Sequence, residues 1–303
     1  MKKKVDVTFG IPCYNSGKTI IELLKCFRLS QYFNYEIIIL DDGSSDNTVN
    51  LCKDFKKKSG LNVKIYSTSN NGVSSARNEI ISLSSGTWLT FVDSDDLIDF
   101  GGYEKIIMDV MNCNYDFVIC SKRKADSSKF LVPYLISKEV INSPCCKFYR
   151  VNQLKASGVL FPLGVDLGED LIFNLRYIAK CRDVKMLRAD IYVYRFSDSS
   201  LTNKYRENKY ETLMALNDAC KKIVVDEYGN DKKMLKALEY IRIKNCISCL
   251  RTHKGGNMGE YYNKLRRDNP RRFVLLNSFE ETTIYAMWYL LPRSIIIKIL
   301  KRI

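Results

Sequence analysis

The sequence predicts an α/β fold, a mostly parallel open sheet with helices on both faces, followed by a helical C-terminal region. Three observations predict it. Apolar runs of strand length alternate with apolar stripes at helical spacing through the first 120 residues. Runs such as Glu36-Ile37-Ile38-Ile39-Leu40 are nearly continuous, as expected of strands covered on both faces. From about Asn203 the strand signal stops and only helical periodicity remains.

The elements follow in order. Val5-Asp6-Val7-Thr8-Phe9 reads as a strand, and Ile20, Ile21, Leu23, Leu24 and Phe27 recur at helical spacing. Glu36 to Leu40 is the second strand, and Val49, Cys52 and Phe55 mark the next helix face. Val63 to Tyr66 is a strand; Ser74 or Ser75 can cap a helix running to about Ser84. Trp88 to Val92 is a strand, Tyr103, Ile106, Ile107, Val110 and Met111 form a helical stripe, and Asp116 to Cys120 is a strand again. Strand and helix in alternation imply parallel pairing through crossovers. In the later region Tyr210, Leu213, Met214, Leu216, Cys220 and Ile223, then Leu235, Leu238, Ile241, Asn245 and Cys249, mark helices. The domain boundary is placed near 203, giving 1–203 and 204–303.

Composition narrows the chemistry. A chain of 303 residues with 46% hydrophobic and 27% charged residues has ordinary globular usage, which excludes disorder as a whole-chain description. The only imidazole is His253, which argues against Ser-His-Asp, Cys-His and multi-histidine metal chemistry. The eleven cysteines are odd in number and lie mostly inside apolar runs, so reduced core thiols are expected. Cys246 and Cys249 alone have metal-like spacing, without a second such pair, and are read as packing. The start Met1-Lys2-Lys3-Lys4 is basic, but Asp6 and a short apolar run make no export signal. The run Thr282 to Pro292 falls short of the ~20 residues of a spanning helix. A cytoplasmic protein is expected.

Open α/β sheets bind ligands outside the carboxyl ends of their strands. After the first strand, Gly17-Lys18-Thr19 tempts a P-loop reading, but position 12, where that motif needs glycine, is Pro12. After the second strand, Asp41-Asp42-Gly43-Ser44-Ser45-Asp46 suits either hydrogen bonding to a base or ribose, or a turn that caps the next helix. After the fourth, Asp93-Ser94-Asp95-Asp96 places three carboxylates in four residues. Such a cluster is either a solvated acidic loop or a site for a hard divalent cation. Arg77, early in a helix, is either exposed or reaches toward a diphosphate. Gly168-Glu169-Asp170 opens a helical pattern; the acids either complement the helix dipole or supply a general base.

These segments, in this order, resemble inverting family 2 glycosyltransferases with a GT-A fold. The matching pieces are Val7 to Asn15, Asp41-Asp42-Gly43-Ser44, Asn71-Gly72 with Ala76-Arg77-Asn78, Gly86 to Asp96, and Gly168-Glu169-Asp170. Lys147-Phe148-Tyr149-Arg150, Phe161-Pro162 and Tyr192-Val193-Tyr194-Arg195 also look like the bacterial capsular and exopolysaccharide branch. The resemblance covers roughly residues 3–202. It implies a donor-nucleotide site formed by Pro12, Tyr14, Asn15, Asp41, Asp42, Arg77, Asp93 and Ser94, with one of the two aspartates at 41–42 reading the base. Asp93 and Asp95 match the DxD motif for Mn²⁺ or Mg²⁺, with Asp95 the first choice as direct ligand. Asp170 matches the catalytic base, and Glu169 is its neighbour. The implied reaction moves a hexosyl or N-acetylhexosaminyl group, with inversion, from a UDP-sugar to a saccharide acceptor, itself carried on a lipid diphosphate. Cys145 stands where that branch commonly has an aromatic residue, and Leu163 where a glutamate often lies. Both departures put the acceptor in question more than the catalysis.

Charge adds a partner. Residues 204–303 carry 21 basic and 11 acidic side chains, a net of +10, against +4 for residues 1–203. Lys264, Arg266, Arg267, Arg271 and Arg272 form a basic run. After Pro292 an apolar face of Ile296, Ile299, Leu300 and Ile303 opposes a face with Lys298, Lys301 and Arg302. With Trp288 and Tyr289 this reads either as an interfacial helix on the inner face of the cell membrane or as a helix packed on the sheet domain. No nucleic-acid motif accompanies the charge, so a nucleic-acid-binding protein stands as the alternative beside a catalytically inactive family member.

Overall fold

The computed structural model describes residues 4–123, 131–165, 167–195, 208–252 and 258–268. Among these, the first half alternates strand and helix: β1 (Val7–Cys13), α1 (Ile20–Leu24), β2 (Tyr35–Asp41), α2 (Thr48–Ser59), β3 (Val63–Ser67), α3 (Val73–Leu83) and β4 (Trp88–Phe91). Then come β5 (Leu97–Ile98), α4 (Phe100–Met111), β6 (Phe117–Ser121), α5 (Leu131–Ser137), β7 (Lys147–Arg150), α6 (Val151–Ser157), α7 (Glu169–Lys180), β8 (Val184–Arg188) and β9 (Tyr192–Val193). The remaining helices are α8 (Lys209–Tyr228), α9 (Lys232–Thr252) and α10 (Met258–Asp268).

Seven strands form one sheet in the order β3-β2-β1-β4-β7-β6-β8. The pairs β1–β2, β1–β4, β2–β3 and β6–β8 are parallel. Strand β7 runs antiparallel to both neighbours, β4 and β6. The expected mostly parallel sheet is therefore present, with one reversed strand inserted beside β4. All seven residues of β1 and of β2 are buried, which explains their nearly unbroken apolar runs. Gly10 lets α3 close on β1: a Cβ there would sit 2.5 Å from Ile80 Cγ2. An aromatic cluster of Phe9, Phe27, Tyr35, Phe100 and Tyr103 fills part of the core. In another, Phe161 stacks on Phe173 at 3.7 Å.

The sheet buries one charge away from the strand ends that matter here. Glu36, fully buried, accepts hydrogen bonds from the Thr8 hydroxyl (2.7 Å), from Lys64, and from the Ser85 amide (2.8 Å) and hydroxyl. Burial would raise its pKa; the bonds from Lys64, Ser85 and Thr8 outweigh that and hold it below the usual value.

The chain divides into two units, Met1–Ser127 with Ile141–Ser197, and Ser128–Val140 with Asp198–Ile303. Helix α5 is thus grouped with the later helices. In this second unit α8 ends at Gly229 in the left-handed conformation, and Asp231 caps α9 through the amides of Lys233 (2.8 Å) and Met234 (2.9 Å). Helix α8 packs on α9, with the Asn217 side chain donating to the Leu238 carbonyl at 2.9 Å. Among the described residues, no helix is long and apolar enough to cross a membrane. All eleven cysteines are free thiols, and Cys246 and Cys249 are buried in α9. The predicted helix after Pro292, with Trp288 and Tyr289, lies outside the described residues.

Candidate active site

Parallel register brings three loops to one edge of the sheet. Cys13, at the end of β1, pairs with Asp41 at the end of β2, and Gly10 pairs with Phe91 at the end of β4. The loops that follow are tied together. Asn15, at φ +49°, accepts the amides of Ser45 (2.9 Å) and Asp46 (3.3 Å) on its side-chain oxygen, and its own amide donates to Ser44 Oγ at 2.8 Å. Ser16 donates its amide to Thr48 Oγ1 (2.8 Å), and its hydroxyl lies 2.7 Å from that of Ser94. The Gly17 amide is taken by Asp46 Oδ2 at 2.9 Å, so this loop is not arranged as a phosphate-cradling P-loop. Pro12 is buried within β1, whereas Tyr14 is 51% exposed on the rim.

Asp41 and Asp42 are both buried, and the structure shows what holds them. Asp41 Oδ2 accepts the Ser44 amide at 3.1 Å. Asp42 accepts the amides of Asn71 and Gly72, each at 2.8 Å, one on each oxygen. The turn can pass because Gly43 is at φ +76°; a Cβ there would lie 2.8 Å from the Asn70 nitrogen. The entry to α3 is therefore braced from β2. The expected Ser74 or Ser75 cap is replaced: the helix starts at Val73, its N-cap position is Gly72, and the Asp42 carboxylate, from the turn after β2, satisfies the amides of Asn71 and Gly72.

The centre of the constellation is Arg77, 5% exposed in α3. Its Nη1 donates to Asp170 Oδ1 at 2.7 Å and lies 3.4 Å from Glu169 Oε1; its Nη2 donates to Asp93 Oδ1 at 3.2 Å. The guanidinium also sits over the Phe161 ring at 5.4 Å. One cation thus joins the acidic turn after β4 to the first turn of α7. Asn78, the next residue, fixes the loop leading to α7, exchanging hydrogen bonds with the Phe161 carbonyl (2.9 Å) and amide (2.8 Å). Gly168, at φ +87°, is the N-cap that presents Glu169 and Asp170. Burial pushes Asp170 up to about 7, with Glu169 and Asp93 adding to the rise and Arg77 and Lys147 opposing it. The Asp170 side chain is 15% exposed.

The acidic turn is held differently at each residue. Asp93 faces Arg77. Burial pushes Asp96 up to about 6, and its Oδ1 accepts the Arg195 amide at 2.8 Å. Asp95 is half-buried; burial and then the nearby Asp93 raise its pKa, and no side chain pairs with its carboxylate among the described residues. No three His, Cys, Asp or Glu side chains converge into a metal cage among the described residues. That donor set suits Mg²⁺ or Mn²⁺, which typically take one or two carboxylates and complete their shell with substrate phosphates and water.

Two further residues at this edge make contacts that the sequence did not foretell. Tyr192 and Arg195 reach the turn from about a hundred positions away, and only their place in a Tyr-x-Tyr-Arg pattern marks them. In the second unit, the described part of the basic run is partly paired: Lys264 binds Glu211 Oε1 at 2.6 Å and covers the Tyr210 ring.

The sequence profile of glycosyl transferase family 2 matches residues 8–162, just over half of the chain. The chain belongs to glycosyl transferase family 2. Among curated relatives it is 26% identical over 216 residues to the uncharacterized glycosyltransferase EpsJ of Bacillus subtilis, covering 65% of this chain and 62% of that one. The alignment thus spans less than two thirds of that relative's length. Among solved structures it superposes on residues 1–349 of Staphylococcus aureus TarS in complex with UDP-GlcNAc, with TM-score 0.63 at 19% identity, covering 86% of this chain and 83% of that one. It also superposes on the mannosyltransferase PcManGT of Pyrobaculum calidifontis, solved with GDP-Man and Mn²⁺, with TM-score 0.61 at 16% identity, covering 94% and 79%. These superpositions agree with the GT-A-type sheet expected for the family 2 chain.

Proposed function

We propose that this family 2 chain is an inverting glycosyltransferase that moves a hexosyl or N-acetylhexosaminyl group from a UDP-sugar to a saccharide hydroxyl. The observation that carries it is the single guanidinium of Arg77 set between Asp93 and Asp170 at the strand ends. The two functions that inversion requires, leaving-group stabilisation and proton removal, then sit on opposite sides of one charge. The donor's nucleotide lies along Tyr14, Asn15 and the Asp41–Asp42 turn, with Pro12 shaping the floor and Ser94 joined to Ser16. The TarS complex with UDP-GlcNAc supports a nucleotide-sugar donor, and a UDP-sugar is the one proposed.

Asp95 and Asp93 would hold Mn²⁺ or Mg²⁺, which when bound neutralises charge on the departing diphosphate. Asp170 accepts the proton of the acceptor hydroxyl as that oxygen attacks the anomeric carbon, and the C–O bond to the diphosphate breaks on the far side. No protein nucleophile is needed, consistent with a chain that has one histidine. Arg77 holds Asp170 oriented and spreads the charge of Asp93, while Glu169 keeps the guanidinium seated. The exposed Leu160, Leu163, Val193 and Tyr194 offer apolar surface on the loops flanking Asp170 and the acidic turn. A saccharide on a polyprenyl diphosphate, extended during cell-surface polysaccharide synthesis, is the acceptor class assigned, with the basic C-terminal region at an anionic membrane surface.

The test is transfer itself. Incubation with UDP-hexoses or UDP-N-acetylhexosamines, Mn²⁺ and lipid-diphosphate-linked saccharides should give UDP and a product of inverted anomeric configuration by NMR. A retained configuration, or turnover of GDP-sugars alone, would contradict the proposal.

A further inference from the structure

Strand β9 is a strap across the acidic turn. Its backbone pairs with β5, Leu97 opposite Val193 and Ile98 opposite Tyr192, directly after the turn. Tyr192 of β9 and Arg195, two residues beyond it, then take hold of the turn. The Tyr192 hydroxyl accepts the Asp93 amide at 3.0 Å and donates to Cys145 Sγ at 3.3 Å. The Arg195 amide donates to Asp96 Oδ1 at 2.8 Å, and its Nε donates to the Asp95 carbonyl at 2.5 Å. The Arg195 guanidinium also pairs with Glu22, in the first turn of α1. The three acidic residues of the turn are thus held by Tyr192 of β9 and by Arg195 two residues beyond the strand, and the remaining residue, Ser94, lies against Ser16.

The physical need is plain. Three adjacent carboxylates repel one another, and an unbraced turn would open to separate them. A diphosphate site requires its carboxylates held within about 0.5 Å by supporting contacts rather than gathered at the moment of binding. Cys145 is fully buried, with its sulfur 3.3 Å from the Tyr192 hydroxyl. Its small sulfur leaves room for the Tyr192 hydroxyl and gives it a weak acceptor, so the Tyr192 oxygen remains available to the Asp93 amide.

We propose that Tyr192 and Arg195 are positioning residues of the donor site, Tyr192 setting Asp93 and Arg195 setting Asp95 and Asp96 for the donor's diphosphate. The assignment rests on the donor-site role of this turn proposed above. The Tyr192→Phe variant tests it with two readouts. In the unliganded protein, amide hydrogen exchange across residues 93–96 should speed up about tenfold, because the partly buried Asp93 N–H loses its acceptor. In titrations, the Kd of UDP with Mn²⁺ should rise about tenfold, while the Kd of uridine without metal stays at the wild-type value. Unchanged exchange, or a parallel loss of uridine and UDP affinity, would overturn the proposal, since loosening of the whole fold moves both ligands together. If wild type binds no UDP, the donor reading falls and exchange alone decides the strap. Should Tyr192→Phe fail to fold, Arg195→Lys serves instead: it keeps the charge, loses the Asp95 carbonyl contact, and should show the same UDP-specific loss.

Discussion

Replacing Asp170 with asparagine should lower kcat for sugar transfer by about 10²–10⁴-fold, the range expected when a positioned general base is removed. UDP affinity should stay close to the wild-type value, because the variant keeps the acidic turn and the nucleotide loops. The carboxamide still accepts from Arg77, so the loop before α7 keeps its anchor through Asn78 and Phe161. The pH profile makes the same point. Burial, opposed by Arg77, pushes Asp170 up to about 7. A base works only when ionised, so kcat/KM should rise with pH through an acid limb near 7 and fall about tenfold per unit below it. The limb should vanish from the residual activity of Asp170→Asn. A wild-type limb that survives in the variant would assign the proton transfer elsewhere.

Arg77→Met should cost about 3–5 kcal/mol of stability, the range seen when one partner of a buried ion pair is removed and its counter-charges are stranded. Here Asp93, Glu169 and Asp170 would face one another without their shared cation, and α3 would lose its link to α7. Transfer should fall as well, since Asp170 would lose its orienting donor. Arg77→Lys should restore only part of either quantity. A point charge on a flexible stem cannot present two nitrogens in a fixed fork to Asp93 and Asp170 at once. Denaturant unfolding and steady-state rates measure both. A loss below about 1 kcal/mol, the scale of an exposed pair, would show that Arg77 is not the centre of this cluster.

The sheet was legible because its central strands β1, β2 and β4 are buried on both faces and its helices are striped; those patterns are local. The reversed strand β7 was not legible, because Lys147-Phe148-Tyr149-Arg150 reads the same in either direction. The grouping of Leu131–Ser137 with the late helices was equally hidden, since a seven-residue apolar helix carries no mark of what it packs on. At the site, residue types and strand-end positions pointed to Asp93, Asp95, Asp170 and Arg77. Their connection did not show. The sequence left Arg77 either exposed or reaching toward a diphosphate; in the structure it is buried and its guanidinium binds three carboxylates. Tyr192 and Arg195 were marked only as part of a Tyr-x-Tyr-Arg match, and what they hold did not show, since a tyrosine hydroxyl reaching an amide 99 residues earlier leaves no local pattern.

The most direct measurement is calorimetric titration of UDP, with and without Mn²⁺, into wild type and Asp95→Ala. If the turn after β4 holds the metal and diphosphate of the donor, wild type binds UDP only with Mn²⁺ present, and Asp95→Ala abolishes that binding. UDP binding that ignores Mn²⁺, or that Asp95→Ala leaves intact, would contradict a donor site built on this turn.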